Sequence, residues 1–272
     1  TEFLSFLPHS KSMPPIPRTS IGISVFQQPD HWVRDCIASA RHQSDASIEI
    51  LIRPDGPDAV SPELLCWLQQ LAAFDKRVIL LPGASNLGTF GSYRDIFDQA
   101  QGQFFAQLDA DDLLHREAIA RCRAELEQHP ELSFLYTDCL EIDSENQPIK
   151  AGLRQHVAYS ATTSLVQFIP FHLRLVRRDV YEQIGGYDAG LLYSGDYDLT
   201  LRLSEVGAVG YLPVPLYLYR VHDTNTSKIK RQATAEEALL VARAALRRRG
   251  LYPRFSLELD PNQQVLLKQQ EP

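Results

Sequence analysis

Phe104-Phe105-Ala106-Gln107-Leu108-Asp109-Ala110-Asp111-Asp112 is the stretch on which the fold turns. A short apolar run breaks into three carboxylates, the pattern of a buried strand that delivers charge to the carboxyl edge of a sheet. Side chains alternate along a strand, so Asp109 and Asp111 are expected to leave it on one face. Two carboxylates that converge there repel each other unless a cation sits between them, and oxygen ligands select Mg2+ or Mn2+. The competing reading is local: Asp112 also suits the cap of a following helix.

Upstream, strands and helices alternate. Ile21-Gly22-Ile23-Ser24-Val25-Phe26 reads as a strand, and Val33, Cys36, Ile37 and Ala40 repeat at helical spacing behind Asp30, a candidate N-cap. Ile48 to Ile52 is a second strand ended by Pro54-Asp55-Gly56-Pro57, and Ser61-Pro62 opens a helix carrying Leu64, Leu65, Leu68 and Leu71. Val78 to Leu81 is a third strand, Tyr93, Ile96, Phe97 and Ala100 form the next helical stripe, and Gly102 stops it. This order predicts an α/β domain with a mostly parallel central sheet covered by helices on both faces. Asp55-Gly56 and Asn86-Leu87-Gly88 then fall at the same sheet edge as Asp109, although both also suit tight turns.

Downstream the alternation loosens into a mixed part. A helix is expected over 116–128, strands near Phe134-Leu135-Tyr136 and from Tyr211 to Val221, and helices over 197–206 and 235–249. Residues 1–19, with Pro8, Pro14, Pro15 and Pro17, read as a linker or strap. The organisation expected is one domain over 20–227, with halves at about 20–112 and 113–227, and a helical extension over 228–272.

The 272 residues, 44% hydrophobic and 22% charged, suit a globular domain and exclude a collagen-like, coiled-coil or wholly disordered chain. Residues 1–150 carry 12 basic and 22 acidic side chains (−10), and residues 151–272 carry 15 and 12 (+3). The acidic half is a poor nucleic-acid surface but could house carboxylates that hold a cation, the basic half meeting an anionic ligand; ordinary solvated charge is the bland alternative. Cys36, Cys66, Cys122 and Cys139 make no metal-ligand spacing and fit a reducing compartment. No signal peptide is expected, and the longest apolar runs, such as Ala238-Leu239-Leu240-Val241-Ala242, fall far short of the ~20 residues of a membrane span.

Taken in order, these motifs resemble an inverting glycosyltransferase of family 2, with the GT-A fold, over about residues 20–227. The resemblance rests on Asp55-Gly56, Asn86-Leu87-Gly88, Gly102-Gln103-Phe104-Phe105, Asp109-Ala110-Asp111-Asp112, Gly185-Gly186-Tyr187-Asp188, Gly195-Asp196-Tyr197-Asp198-Leu199-Thr200-Leu201-Arg202 and Tyr219-Arg220-Val221-His222. It implies a nucleotide-diphosphate sugar donor, UDP-linked by preference, and a glycan or lipid-linked saccharide acceptor. By the same resemblance Phe26, Gln27, Asp55, Asn86, Gly88, Asp109, Ala110 and Arg220 would contact the nucleotide sugar. Asp111, Asp109 and His222 would hold Mn2+ or Mg2+, and Gly186, Tyr187 and Gly195 would shape the acceptor or sugar pocket. Asp196 would be the general base, although an aspartate behind Ser194-Gly195 also suits a helix cap. His222 also suits a plain loop histidine. Arg220, Lys228, Lys230 and Arg231 are further diphosphate candidates, with solvated basic residues as the alternative, and Arg247-Arg248-Arg249 suits a helix C-terminus.

Three positions depart from the family pattern: Phe26-Gln27-Gln28-Pro29 for Pro-Thr-Tyr-Asn, Pro54 for a first aspartate, and Gly195 for a glutamate. These leave a second reading open, a glycosyltransferase-like module that binds sugar nucleotide or glycan without turnover. Because sugar nucleotides are made in the cytoplasm, the chain is expected there or at the cytoplasmic face of the membrane, and the Pro-rich start hints at a larger multidomain glycosyltransferase. A dinucleotide oxidoreductase is disfavoured, since no Gly-x-Gly-x-x-Gly follows the first strand. Thr89-Phe90 stands where a phosphate-binding loop begun at Gly83 would need Lys-Ser or Lys-Thr.

Overall fold

Ile21, Ile23 and Val25 of strand β1 (Thr19–Val25) point to one face of the sheet, and Gly22 faces the other. A Cβ on Gly22 would lie 2.8 Å from Ile96, so its absence lets a helix approach closely. The computed structural model describes residues 18–152, 157–225 and 229–270. Residues 1–17 of the expected linker and Lys228 lie outside these residues; of the rest of the linker, Thr19 already belongs to β1.

The chain runs through α1 (Asp30–Arg41), β2 (Ile48–Pro54), α2 (Pro62–Phe74), β3 (Val78–Leu80), α3 (Gly88–Gln99) and β4 (Phe104–Gln107). β1 pairs in parallel with β2 on one side and β4 on the other, and β2 pairs in parallel with β3. The chain thus winds outward to β3 and then returns to the far side of β1. That reversal opens a crevice beyond the carboxyl ends of β1 and β4, where open α/β sheets bind ligands.

The mixed part continues the sheet. β5 (Leu113–Leu114), α4 (Ala118–Gln128), β6 (Leu132–Ile142), β7 (Pro148–Ala151), β8 (Arg174–Arg177), α5 (Arg178–Gln183), α6 (Gly195–Leu203) and β9 (Ala208–Arg220) follow in order. The strand order is β3-β2-β1-β4-β8-β6-β9-β5, with β7 paired to β6. β8 is antiparallel to β4 and β6, whereas β6 and β9 run parallel.

Helices α1, α2 and α4 bury Val33, Ile37, Leu64, Leu68, Ile119 and Leu126 on one face of the sheet. On the other, α3 packs Phe90, Tyr93, Ile96 and Phe97 against Phe105, Tyr181, Tyr187 and Leu199. Burial of such side chains contributes about 1.5–3 kcal/mol each, which fixes the register of β1 and β4 and hence where their ends deliver residues.

The extension after residue 228 is not purely helical. α7 (Arg231–Arg248) is followed by an antiparallel hairpin, β10 (Phe255–Leu259) and β11 (Val265–Gln269). The hairpin and α7 bury Val241, Ala242, Leu246 and Leu257 with Tyr197 and Leu201 of α6. Pro29, not Asp30, holds the N-cap position of α1; Asp30 instead accepts from the Ser61 hydroxyl at 2.6 Å. Ser61-Pro62 opens α2 as expected, and Ser61 caps it, accepting from the Leu64 N–H at 3.0 Å.

Candidate active site

Beyond the carboxyl ends of β1, β2 and β4 lies a cavity of about 960 Å3, walled by residues from the first strand end to α7. Phe26, Gln27, Asp55, Asn86, Gly88, Asp109, Ala110, Asp111, Asp196 and His222 all line it. At the β2 end, buried Asp55 accepts from Arg53 Nη1 at 2.8 Å and from the Leu87 N–H at 2.7 Å. Asn86 Oδ1 accepts from the Gly88 N–H at 3.0 Å, and Gly88 has φ +71°, a conformation that glycine adopts at no steric cost. Gln27 follows β1 with φ +61°, its N–H donating to Ala59 O at 2.7 Å.

The acidic motif is a turn rather than a strand end. β4 stops at Gln107, and the Asp112 N–H donates to Asp109 O at 3.0 Å. Asp109 and Asp111 share the cavity because of this turn, not because of strand alternation. Asp109 Oδ1 accepts from Tyr93 OH and from Gln107 Nε2, both at 2.8 Å. Burial and the neighbouring Asp111 charge push its pKa upward. Asp111 Oδ2 lies 3.0 Å from His222 Nε2, which joins the two residues drawn together as cation ligands. Asp112 faces inward: its oxygens accept from the Arg220 N–H at 2.7 Å and from Tyr217 OH at 2.8 Å. Burial and the charges of Asp111 and Asp109 raise its pKa strongly.

The chemistry of these donors suits a divalent cation. Carboxylate oxygens and an imidazole nitrogen are ligands for Mn2+ or Mg2+, and a cation would relieve the repulsion that raises Asp109. Among the described residues, the three whose possible ligand atoms lie within 4.8 Å of one another are Asp109, Asp112 and buried His172, a group that contains neither Asp111 nor His222. His172 Nε2 is 3.6 Å from Asp109 Oδ2, and its ring stacks on Tyr217 at 4.4 Å.

Asp196 sits in the first turn of α6, and Ser194, not Asp196, holds the N-cap position. Its Oδ1 accepts from the Tyr197 N–H at 2.8 Å, and its Oδ2 lies 3.7 Å from Arg174 Nη2. The segment leading into α6 is gripped from α7: the Glu237 carboxylate accepts from the N–H groups of Leu192, Tyr193 and Ser194.

Four expected positions stand behind the cavity wall rather than on it. Arg220 is fully buried, donating to Asp111 O at 2.6 Å, to the carbonyls of Asp143 and Ser144, and to Asn146 Oδ1 at 2.7 Å. Its guanidinium carbon lies 5.0 Å from the Trp32 ring, so this arginine braces the acidic turn against the β6–β7 connection. Tyr187 is buried among Phe90, Tyr93 and Phe97, with its hydroxyl donating to Gln107 Oε1. Gly186 has φ +70°, and a Cβ there would meet the Tyr181 ring at 2.9 Å. At Gly195 a Cβ would meet the Phe90 ring at 2.4 Å, so the glycine lets α6 close on α3. Arg231, a further diphosphate candidate, donates to Asn262 O at 3.2 Å.

Among the described residues, the basic half brings no lysine or arginine to the cavity wall. Among the described residues, Lys150 is the one lysine or arginine on its wall, 3.6 Å from Glu141, against the carboxylates of Asp55, Asp109, Asp111, Asp112, Glu141 and Asp196.

The sequence model of glycosyl transferase family 2 matches residues 20–185. The chain belongs to this family. Chondroitin synthase of Escherichia coli is 28% identical over 242 residues, covering 89% of this chain and 34% of that protein. Hyaluronan synthase of Pasteurella multocida is 25% identical over 236 residues, 87% of this chain and 24% of that protein. The O-antigen biosynthesis protein RfbC of Myxococcus xanthus is 29% identical over 202 residues, 74% of this chain and 16% of that protein. The chain therefore spans about a third or less of the length of these relatives. Residues 1–349 of S. aureus TarS, solved in complex with UDP-GlcNAc, superpose with a TM-score of 0.66 at 11% identity, over 84% of this chain and 66% of that one. That likeness concerns the fold, which is GT-A.

In this family member the residues that sequence reasoning missed are Tyr93, Gln107, His172, Arg174 and Tyr217. They reach the acidic turn or Asp196 from α3, β4, the loop before β8, β8 and β9, and no short motif marks them.

Proposed function

We propose that this family 2 glycosyltransferase moves a sugar, with inversion, from a nucleotide-diphosphate donor to a hydroxyl of a glycan or lipid-linked saccharide. The observation that carries the proposal is the charge of the cavity: its wall brings together Asp55, Asp109, Asp111 and Asp196, with Lys150 as its lone lysine or arginine among the described residues. A diphosphate enters such an acidic site only with a counter-charge, which Mn2+ or Mg2+ on Asp111, Asp109 and His222 would supply. Bound there, the cation would neutralise the charge that grows on the leaving diphosphate.

The remaining chemistry belongs to the chain. Phe26, Gln27, Asp55, Asn86 and Gly88 hold the nucleoside, and UDP is favoured because the family most often takes uracil. Asp196 accepts the proton of the acceptor hydroxyl as its oxygen bonds to the anomeric carbon and the bond to the diphosphate breaks. A carboxylate in the first turn of a helix is held in its charged form by the helix dipole, which suits that role. The share of its relatives' lengths that the chain covers supports a place within a larger enzyme. Sugar nucleotides are made in the cytoplasm, which is where the reading places the reaction. Among the described residues no helix is long and apolar enough to cross a membrane.

A second reading, a binding module without turnover, draws on Gly195. The Phe90 ring occupies the space that a side chain there would need, so the glutamate of the family pattern is not accommodated. Calorimetry of UDP with Mn2+ and with chelator, followed by UDP release, with water as the sugar acceptor, from UDP-glucose, UDP-galactose, UDP-N-acetylglucosamine, UDP-N-acetylgalactosamine and UDP-glucuronate, separates the readings. Mn2+-dependent binding with turnover supports transfer; binding without turnover of any donor supports the module; equal affinity in chelator overturns the metal assignment.

A further inference from the structure

Asp196 has a second support besides the turn of α6. Arg174, on β8, brings its Nη2 to 3.7 Å from Asp196 Oδ2. This arginine is 2% exposed, and a charge so buried persists only against fixed partners. Its Nη1 donates to Pro170 O at 3.2 Å and to Phe171 O, and its Nη2 donates to Gln107 Oε1 at 3.1 Å. The Phe168 ring lies 5.5 Å from the guanidinium carbon. Gln107 in turn donates through Nε2 to Asp109 Oδ1 at 2.8 Å. One planar fork therefore stands beside Asp196 and, through a single amide, reaches a carboxylate at the donor end of the cavity.

We propose that Arg174 is a positioning residue for transfer, orienting Asp196 and holding it ionised while tying its place to that of Asp109 through Gln107. The inference rests on the reading of Asp196 as the general base. A base that must stay charged at neutral pH gains from a guanidinium beside it, because an opposite charge at this range favours the ionised form. Among the described residues, three other groups close to Asp196 bring no positive charge to it. Tyr187 is neutral, with burial pushing its pKa upward, and Glu237 sits on the backbone of Leu192 to Ser194. Asp198 pairs with Arg202 at 2.5 Å on its own helix. Lysine at 174 would keep a charge but not the fork that engages two carbonyls and Gln107 at once.

The test measures Mn2+-dependent UDP release from the same five UDP-sugars across pH. It compares the wild type, Arg174→Lys, Arg174→Met, Asp196→Asn and the Asp196→Asn/Arg174→Lys double variant. Arg174→Met is expected to lower kcat by roughly 10²-fold with donor KM unchanged. Its acid limb should move up by about 1–3 pH units, the direction expected when a neighbouring positive charge is lost. Arg174→Lys should restore the limb but only part of kcat, and should cause no further loss once Asp196 is Asn. A merely structural role would lower the folded fraction, leave the limb in place and give additive losses. That result overturns the inference. Should Arg174→Met fail to fold, the Lys variant and the double-variant cycle decide the matter. If the wild type turns over donor and both Arg174 variants match it, this inference falls alone. If the wild type binds Mn2+-UDP but releases UDP from none of the five donors, the Asp196 reading falls and takes this one with it.

Discussion

At Asp196 one substitution separates charge from shape. Asparagine keeps the size and can still accept the Tyr197 N–H bond, but it cannot take a proton. Asp196→Asn is therefore expected to fold and to bind UDP with Mn2+ as the wild type does, while transfer falls by roughly 10²–10⁴-fold, the usual range for a general base. Calorimetry and initial rates on the same preparation check both halves; transfer at wild-type rate would place the base elsewhere. Asp55 calls for a gentler change, because its Oδ1 serves both Arg53 and the Leu87 N–H. Asp55→Ala would take the acceptor from the Leu87 N–H and one of the bonds of buried Arg53, at about 1–3 kcal/mol. Asp55→Asn keeps an acceptor there and removes the charge, so it is expected to hold the fold and weaken UDP binding. Chemical denaturation and UDP titration test the two effects separately, and unchanged UDP affinity in the Asn variant would leave Asp55 as a turn residue only.

Between elements, the closest contact that matters for the site is α6 against α3. Phe90 stacks on Tyr187 at 5.7 Å and cannot retreat without disturbing Tyr93 and Phe97 behind it. Gly195→Ala places a methyl group 2.4 Å from that ring, so it should destabilise the fold by about 1–3 kcal/mol and shift Asp196 with the helix start. Urea unfolding reads the first effect; a midpoint equal to that of the wild type would mean that the ring yields freely. The elements themselves were largely legible. Strands β1 to β4 and their helices carry local periodic signals; Asp55, Asp109 and Asp111 follow strand ends closely in the sequence itself, and Asn86 stands just before α3. The C-terminal hairpin was missed although Asp260-Pro261-Asn262 is a turn signal between two alternating runs. Arg220 was misread for a different reason. Its place in the Tyr219-Arg220-Val221-His222 element suggests a diphosphate contact, yet its partners are backbone carbonyls near residue 143 that no local pattern announces. Arg174 and His172 were invisible because their meaning comes only from the pairing of β8 with β4 and β6.

For the molecule as a whole, the acidic turn is a stored opposition that a cation can relieve. Asp109 is raised by burial and by Asp111, so the folded state without metal favours a proton there more than the unfolded chain does. The sign follows: this group's contribution to stability is present below the ordinary carboxylate range and is lost as pH rises through the raised value. A cation that binds only the folded state reverses the trend, since it needs Asp109 deprotonated and competes with the proton. At neutral pH and 100 times its Kd, Mn2+ is expected to add about 2.7 kcal/mol. For a chain of this size that is a Tm increase of roughly 5–10 °C. The increase should shrink as the pH is lowered, beginning above the pH at which a solvent-exposed aspartate titrates. In Asp109→Asn/Asp111→Asn the protein without metal should be as stable as the wild type or more so, and added Mn2+ should leave its Tm unchanged. Thermal unfolding of both proteins with Mn2+ and with chelator, across pH, tests the whole chain of reasoning. A Tm increase that survives in the double variant would show that the cation binds elsewhere.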